Sequence, residues 1–505
     1  MNKLTFTTYA KENGGRVSIL FLLFLLALYE LVTAGLNAFS IICILPLFPL
    51  ILIGIVRKGM LSFWTLIILN YFIMWHGMPL PKGIPISLYN ELLEIILIAL
   101  AIINAQDMKF ERCGNTMFFA LFVWCTFCTI EIFNDTCGLG IDPAAWFQGV
   151  RLIAYQLMYI FIVFTLYITD PKILTKYIFL WGSLALMAVF TVWKQKYIGL
   201  STQDIAWLYG PGGRQHLIAG GTLIRYWSLY SDAANFGIGI ASTGVAFIIF
   251  GITSKIRRHK VFFLITGVGC IWAMFPSGTR TALACLMAGF IAYIFLSKSF
   301  KIAIPVSIVF ALFVFFLAFT NIANGNQQIR RMRSAFDKKD ASANQRTINQ
   351  EAMKKYMAEA PWGIGIGYKN IPANNKYTFM ATIPPDSEYV FIWIHTGIIG
   401  LSVFLISTAI MIIGACRIVL FRLNSPSLRG IGAGFCCAMI SQQLGGYGNQ
   451  VLMQFPNCLT FYGGLAIVYI LPHIEKEWTA YEKEQLAIEE EKKRLKLEKK
   501  KAKRV

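Results

Sequence analysis

Stretches of 17 to 22 residues without a charged side chain recur along most of this 505-residue chain. Each is long enough to cross, as a helix, the roughly 30 Å hydrocarbon core of a bilayer. Composition agrees: 56% of residues are hydrophobic and only 14% are charged, against about 25% charged in an average soluble domain. Disordered chains, collagen-like chains and ordinary cytosolic enzymes are thereby excluded. The net charge of +20 would, in a soluble protein, suggest a nucleic-acid partner. Here the apolar runs take precedence, and no nucleic acid is expected. The fold class is an all-α polytopic membrane protein.

Hydropathy places about fourteen spans (12–14), near 17–36, 39–56, 60–78, 88–105, 116–133, 148–168, 177–193, 235–254, 261–275, 281–297, 302–320, 389–415, 430–445 and 455–472. The glycine-rich span at 430–445, followed by QQLGGYGNQ, is the one that a re-entrant hairpin could replace. Lys/Arg counts orient the set. Arg57-Lys58, Lys109 and Arg112, Lys172 and Lys176, the run 255–260, Lys298 and Lys301, then Arg417, Arg422 and Arg429 all fall in alternate loops. Both termini are therefore expected in the cytoplasm. The division is 1–320 (spans, with an external loop at 194–234), 321–388 (a large external loop), 389–473 (C-terminal spans) and 474–505 (a basic tail). The tail pairs Glu489 with Lys493 and Glu490 with Arg494 at i,i+4, which suits a solvated helix drawn to anionic headgroups. The run that follows Lys3, Lys11 and Arg16 lacks a small-residue cleavage site, so no cleavable signal peptide is expected. Cys125-x-x-Cys128 has zinc-ligand spacing but lies in an apolar run with no second pair nearby, and buried helix-face cysteines are expected.

Polar chemistry concentrates in the two long external loops and in the short turn Phe275-Pro-Ser-Gly-Thr-Arg280. Ile348, Ala352, Tyr356 and Met357 recur at helical spacing in the second loop, which argues for order there. Arg214, Arg225, Arg280, Arg330, Arg331, Arg333 and Arg346 all lie on this face. A guanidinium binds phosphate oxygens bidentately and keeps its charge when partly desolvated. Such a cluster beside a bilayer points to a phosphate-bearing, lipid-linked ligand; headgroup anchoring or loop ion pairs are the alternatives. His76, His216, His259, His395 and His473 are scattered, and neither a ligand-spaced pair nor a P-loop occurs, so no metal or cofactor is expected. Arginines would then supply the positive charge.

The second loop contains RTINQEAMKKYMAEAPWGIGIGY, in which Arg346 opens a helical stretch closed by Pro361 and by Gly363, Gly365 and Gly367. Together with Arg225-Tyr-Trp-Ser…Asp232-Ala-Ala-Asn235, Ser277-Gly-Thr-Arg280 and Gly397-Ile-Ile-Gly400, this order over roughly 200–415 resembles the O-antigen ligase and polymerase family of bacterial membrane glycosyltransferases. The resemblance implies a GT-C-like helical fold in the inner membrane. It also implies a metal-independent, inverting transfer of a glycan from undecaprenyl pyrophosphate to a sugar hydroxyl, the acceptor being a glycan or lipid A core. One departure stands out. The family commonly carries a His-Asn pair about ten residues before Gly-x-x-Gly, and here that place holds Asp386-Ser387. Asp386 or Glu388 could serve as base; equally, Asp386 could cap the helix that follows. Arg225 and Arg280 are the first candidates for the pyrophosphate, with Arg214 and Arg346 next. Loss of one would cost about 2.7–4 kcal/mol of transition-state stabilisation, by analogy with an oxyanion donor. Ligase and polymerase share this donor chemistry and are not separated by the sequence. A polytopic transporter or flippase for lipid-linked glycans is the rival from another class.

Overall fold

The structure, a computed structural model, describes residues 59–75, 87–210, 212–218, 223–298, 300–322, 324–333, 341–367, 371–383 and 386–502. The expected spans at 17–36 and 39–56 lie outside these residues. The chain divides into two units, Met1–Trp64 and Thr65–Val505. The first contributes only residues 59–64, the opening of α1 (Gly59–Phe72), and the site lies in the second.

The described residues are mostly helical. α2 (Ser87–Ile103) and α3 (Thr116–Ile130) are followed by α4 (Pro143–Tyr167), which has a π-helical turn at Arg151–Tyr155, and by α5 (Pro171–Tyr197). Local sequence writes these starts. Asn115 accepts from the amides of Met117 and Phe118. Asp142 and Asp170 each accept two first-turn amides, with Pro143 and Pro171 at the first helical position, where a missing N–H costs nothing. The first long loop holds α6 (Thr202–Tyr209) and the two-residue antiparallel strands β1 (Leu217–Ile218) and β2 (Leu223–Ile224). Then come α7 (Ala233–Thr253), α8 (Arg257–Ala273), α9 (Arg280–Leu296) and α10 (Phe300–Phe319). The second loop carries α11 (Gln327–Arg333), α12 (Ala341–Ala358) and α13 (Thr378–Thr382); α14 (Glu388–Arg417), α15 (Pro426–Gly448) and α16 (Asn457–Ala502) complete the chain.

Among the described residues six helical stretches are long and apolar enough to cross a membrane: Thr116–Phe133, Pro143–Tyr167, Pro171–Tyr197, Ala233–Thr253, Glu388–Arg422 and Asn457–Leu495. Gly59–Phe72, Arg280–Leu296 and Ser307–Phe316 are shorter apolar helices. The segment read as a span or re-entrant hairpin at 430–445 is one unbroken helix inside α15. α7 forms the centre, packed on α8, α9 and α15. Small residues allow that approach: a Cβ on Gly251 would lie 2.6 Å from Leu264, and one on Gly434 would lie 2.4 Å from Phe250.

The charges buried in the bundle are paired. Arg151 Nη1 sits 2.8 Å from both Glu91 oxygens, and Gln156 Nε2 donates to Glu94 at 2.7 Å. Cys128 is buried, and Cys125 Sγ lies 3.5 Å from the Ala154 carbonyl, as expected of helix-face thiols. No residue from 483 to 495 is buried, as expected of a solvated helix, but the first turns of the tail are packed. Ile474, Trp478 and Glu482 are buried, and three glutamates seven residues apart engage other loops. Glu475 accepts from the amides of Asn424 and Ser425, Glu482 pairs with Lys255 at 2.9 Å, and Glu489 accepts from the amides of Arg257 and Arg258. A period of seven keeps one helix face turned to the bundle.

Candidate functional site

The turn between α8 and α9 is the node. Ser277 Oγ donates to the Met274 carbonyl at 2.6 Å, the Gly278 amide to Phe275 O at 3.0 Å, and the Thr279 amide to Ser277 Oγ at 3.2 Å. Gly278 has φ +59°, a left-handed conformation that costs glycine little. From one side Arg225 donates through Nε to Ser277 O at 3.2 Å and through Nη2 to Thr279 Oγ1 at 2.9 Å. From another, Arg331 Nε donates to Gly278 O at 2.6 Å. A Cβ on Gly278 would meet Arg331 Nε at 3.1 Å and Arg225 Cγ at 3.3 Å, so the bare backbone is what lets both side chains approach. Arg280 opens α9 beside them. Burial, then the charges of Arg225 and Arg280, push the Arg331 guanidinium down to about 10.

Of the sequence candidates, Arg225 and Arg280 are thus brought together. Arg214 is exposed, and its Nε bonds the Tyr209 carbonyl at 3.2 Å. Arg346 lies in α12, whose helix is described there but not the Arg346 side chain. His216 is a structural residue: it is buried between Trp207 and Trp227, and its Nε2 accepts from the Ala233 amide at 3.1 Å. Asp232 caps α7.

Beside this node runs the loop from Asn449 to Pro456. Asn449 Nδ2 donates to Thr281 Oγ1 at 3.3 Å, Ser231 Oγ to Gln454 Oε1 at 2.8 Å, and Asn235 Nδ2 to Phe455 O at 2.8 Å. Glu388 is 3% exposed. Its Oε2 accepts from the Leu452 amide at 2.9 Å, and the amides of Val451 and Met453 face it as well. Asp386 differs: it is exposed, with φ +47°, a conformation in which Asp is enriched among non-glycine residues. The cap position of α14 belongs to Ser387, which makes no side-chain capping bond and instead donates to Gly446 O at 3.1 Å. The capping role considered for Asp386 is therefore corrected, because a residue one position before the cap, in left-handed conformation, does not aim its carboxylate at the first-turn amides.

The three loop glycines have a common cause. Gly363, Gly365 and Gly367 all have positive φ, at +76°, +97° and +86°. α14 breaks at Gly397 (φ +66°), and the loop repairs the break. The Ile364 and Gly365 amides donate to Ile394 O and His395 O at 2.9 and 3.1 Å, and the Ile399 amide donates to Pro361 O at 3.3 Å. His395 Nδ1, 3.0 Å from Gly365 O, belongs to this seam. The loop's own core is Met353, Met357, Ala360, Ile364 and Met380, closed by Cys137, Val390 and Ile394. The helical spacing that argued for order in this loop corresponds to α12; Ile348 on it is 58% exposed, while Met353 and Met357 are buried. The 449–456 loop and Arg331's proximity to Arg225 went unread, since contacts between residues more than 50 positions apart leave no local signal.

Fold and site together define a multi-pass, all-α membrane protein with a cluster of arginines gathered on one glycine-containing turn. Residues 265–405 match the family model described as O-antigen ligase. That stretch includes Arg280, Arg331, the glycine series and Gly397, so over this part of its length the chain is similar to O-antigen ligases, as the motif order implied. No curated protein matches the sequence.

Proposed function

We propose that this protein transfers a glycan from an undecaprenyl-pyrophosphate carrier to a sugar hydroxyl, as a ligase or a repeat-unit polymerase of surface polysaccharide. The observation that carries the reading is the convergence of Arg225 and Arg280 on the turn 275–280, within the segment similar to O-antigen ligases. The acceptor oxygen attacks the anomeric carbon as the bond to the pyrophosphate oxygen breaks, with inversion. The pyrophosphate leaves with the bonding electron pair, and its growing charge is stabilised by Arg225 and Arg280. The acceptor's proton passes to Asp386, the exposed carboxylate next to the buried end of α14. Glu388 is a positioning residue that holds the 451–453 amides and, through that loop, Asn449 against Thr281. Arg214 and Arg346 contribute to the approach of the donor. The reaction needs no divalent ion, so EDTA leaves the rate unchanged.

In the membrane we place about fourteen spans, both termini in the cytoplasm and the two long loops on the outer face of the inner membrane. The alternation of basic loops supports this. Arg280→Ala, expressed in a deletion strain, is expected to lose transfer by about 10²–10³-fold with unchanged protein level. A gel of surface glycans reads the result. Single repeats on the acceptor identify a polymerase and long chains stranded on the carrier a ligase, whereas a wild-type profile removes the proposal and turns attention to transport.

A further inference from the structure

We infer that Arg331 is the third arginine of the donor site and binds the diphosphate together with Arg225 and Arg280. The inference rests on the donor reading above and assigns a residue that motif order does not reach.

Two arginines from different loops anchor their Nε atoms on successive carbonyls of one turn. Arg225 takes Ser277 O at 3.2 Å and Arg331 takes Gly278 O at 2.6 Å. Anchoring Nε on a carbonyl fixes the guanidinium plane, and a planar fork held in advance loses little freedom when it meets an oxyanion. Arg331 is itself held in place. The helix that carries it, α11, is tied to the end of α5 by Lys196 Nζ and Gln328 Oε1 at 2.7 Å. Its neighbour Arg333 stacks its guanidinium 5.4 Å from the Phe316 ring centre and bonds Ile322 O at 2.6 Å. Arg330, on the same short helix, is exposed. The helix therefore turns one of its three arginines into the site.

The three arginine charges repel one another. Partial burial and the charges of Arg225 and Arg280 already hold Arg331 at about 10. A dianionic diphosphate reverses that repulsion, so each arginine strengthens the ligand's hold on the others. The ligand class is an organic diphosphate; the polar contacts recognise the phosphates, while the attached lipid and glycan lie elsewhere.

The test uses the full chain purified in detergent, with farnesyl diphosphate as probe and farnesol as its phosphate-free control. Wild type is expected to bind farnesyl diphosphate but not farnesol. Arg331→Gln is expected to weaken binding at least about tenfold, as Arg225→Gln and Arg280→Gln do, while Arg330→Gln leaves it unchanged. Wild-type affinity in Arg331→Gln, with Arg225→Gln and Arg280→Gln weakened, overturns this inference and leaves the donor site standing. Absence of diphosphate-specific binding in the wild type overturns both. If Arg331→Gln does not fold, Arg331→Lys decides. It keeps the charge without the fork, so weakening of severalfold supports the inference and undiminished affinity refutes it.

Discussion

Replacing Glu388 separates holding a loop from catalysing a reaction. The carboxylate is 3% exposed and accepts from the Leu452 amide at 2.9 Å, with the Val451 and Met453 amides facing it as well. A hydrogen bond to a charged acceptor contributes about 1.5–3 kcal/mol against about 0.5–1.5 for a neutral one. Glu388→Gln keeps the shape but loses the charge at the Leu452 bond, a loss of about 1–1.5 kcal/mol. Glu388→Ala leaves the buried Leu452 amide without an acceptor, at about 1–3 kcal/mol, and also empties the space the side chain filled, so its loss is larger even after the loop relaxes. Heating the detergent-solubilised protein and measuring the monodisperse fraction should rank wild type above Gln and Gln above Ala. Transfer activity of the surviving Gln variant should fall only modestly, through Asn449 and Thr281. A Gln variant as heat-stable as wild type but with transfer reduced by about 10²–10⁴-fold, the range for a lost general base, would refute the positioning role and make Glu388 the base.

Asp386→Asn should behave in the opposite way, with unchanged heat stability at an exposed position and transfer lost; normal turnover would remove Asp386 from the mechanism. Gly397→Ala puts a Cβ 1.9 Å from the Pro361 carbonyl at φ +66°, so the loop must leave the broken helix, and limited proteolysis between 361 and 383 should accelerate; a wild-type digestion pattern would show that the seam is not needed. Arg151→Met strands the buried Glu91 carboxylate, now 2.8 Å from its partner, at a cost of about 3–5 kcal/mol. Adding Glu91→Leu should restore most of the lost heat stability, and a double variant as unstable as the single one would show that the pair is not the unit.

Much of the site's chemistry was legible locally. Arg280 is singled out by residue type and by its place at the head of an apolar run, and Arg225 by the motif order that resembles O-antigen ligases. The glycine series reads as a backbone device because few other residues tolerate positive φ, although its purpose, repairing the break at Gly397, depends on a helix some 30 residues further on. Helix faces were less secure. Ile348, Ala352, Tyr356 and Met357 fit a helical stripe, yet burial runs through Met353 and Met357, because the partner surface, Cys137 and the start of α14, decides which flank of a helix is covered. The tail was legible in part: its i,i+4 pairs suit the helix beyond 482, which has no buried residue up to 495, whereas the loop partners of Glu475, Glu482 and Glu489 lie far away in sequence.

By itself the sequence determined that the chain lives in a bilayer and is helical there, since uncharged runs of this length have few other stable solutions. It also confined the polar chemistry to a few loops. The tertiary structure alone decided which arginines meet. Arg214 and Arg225 are close in sequence, yet Arg225 shares its turn with Arg331 instead, because the 275–280 turn offers successive carbonyls to loops that enter from different sides. It likewise turned two neighbouring carboxylates to different ends, Glu388 into the protein and Asp386 to solvent. One left-handed residue, Asp386, precedes the helix and turns its own side chain away from the interior that receives the next turn.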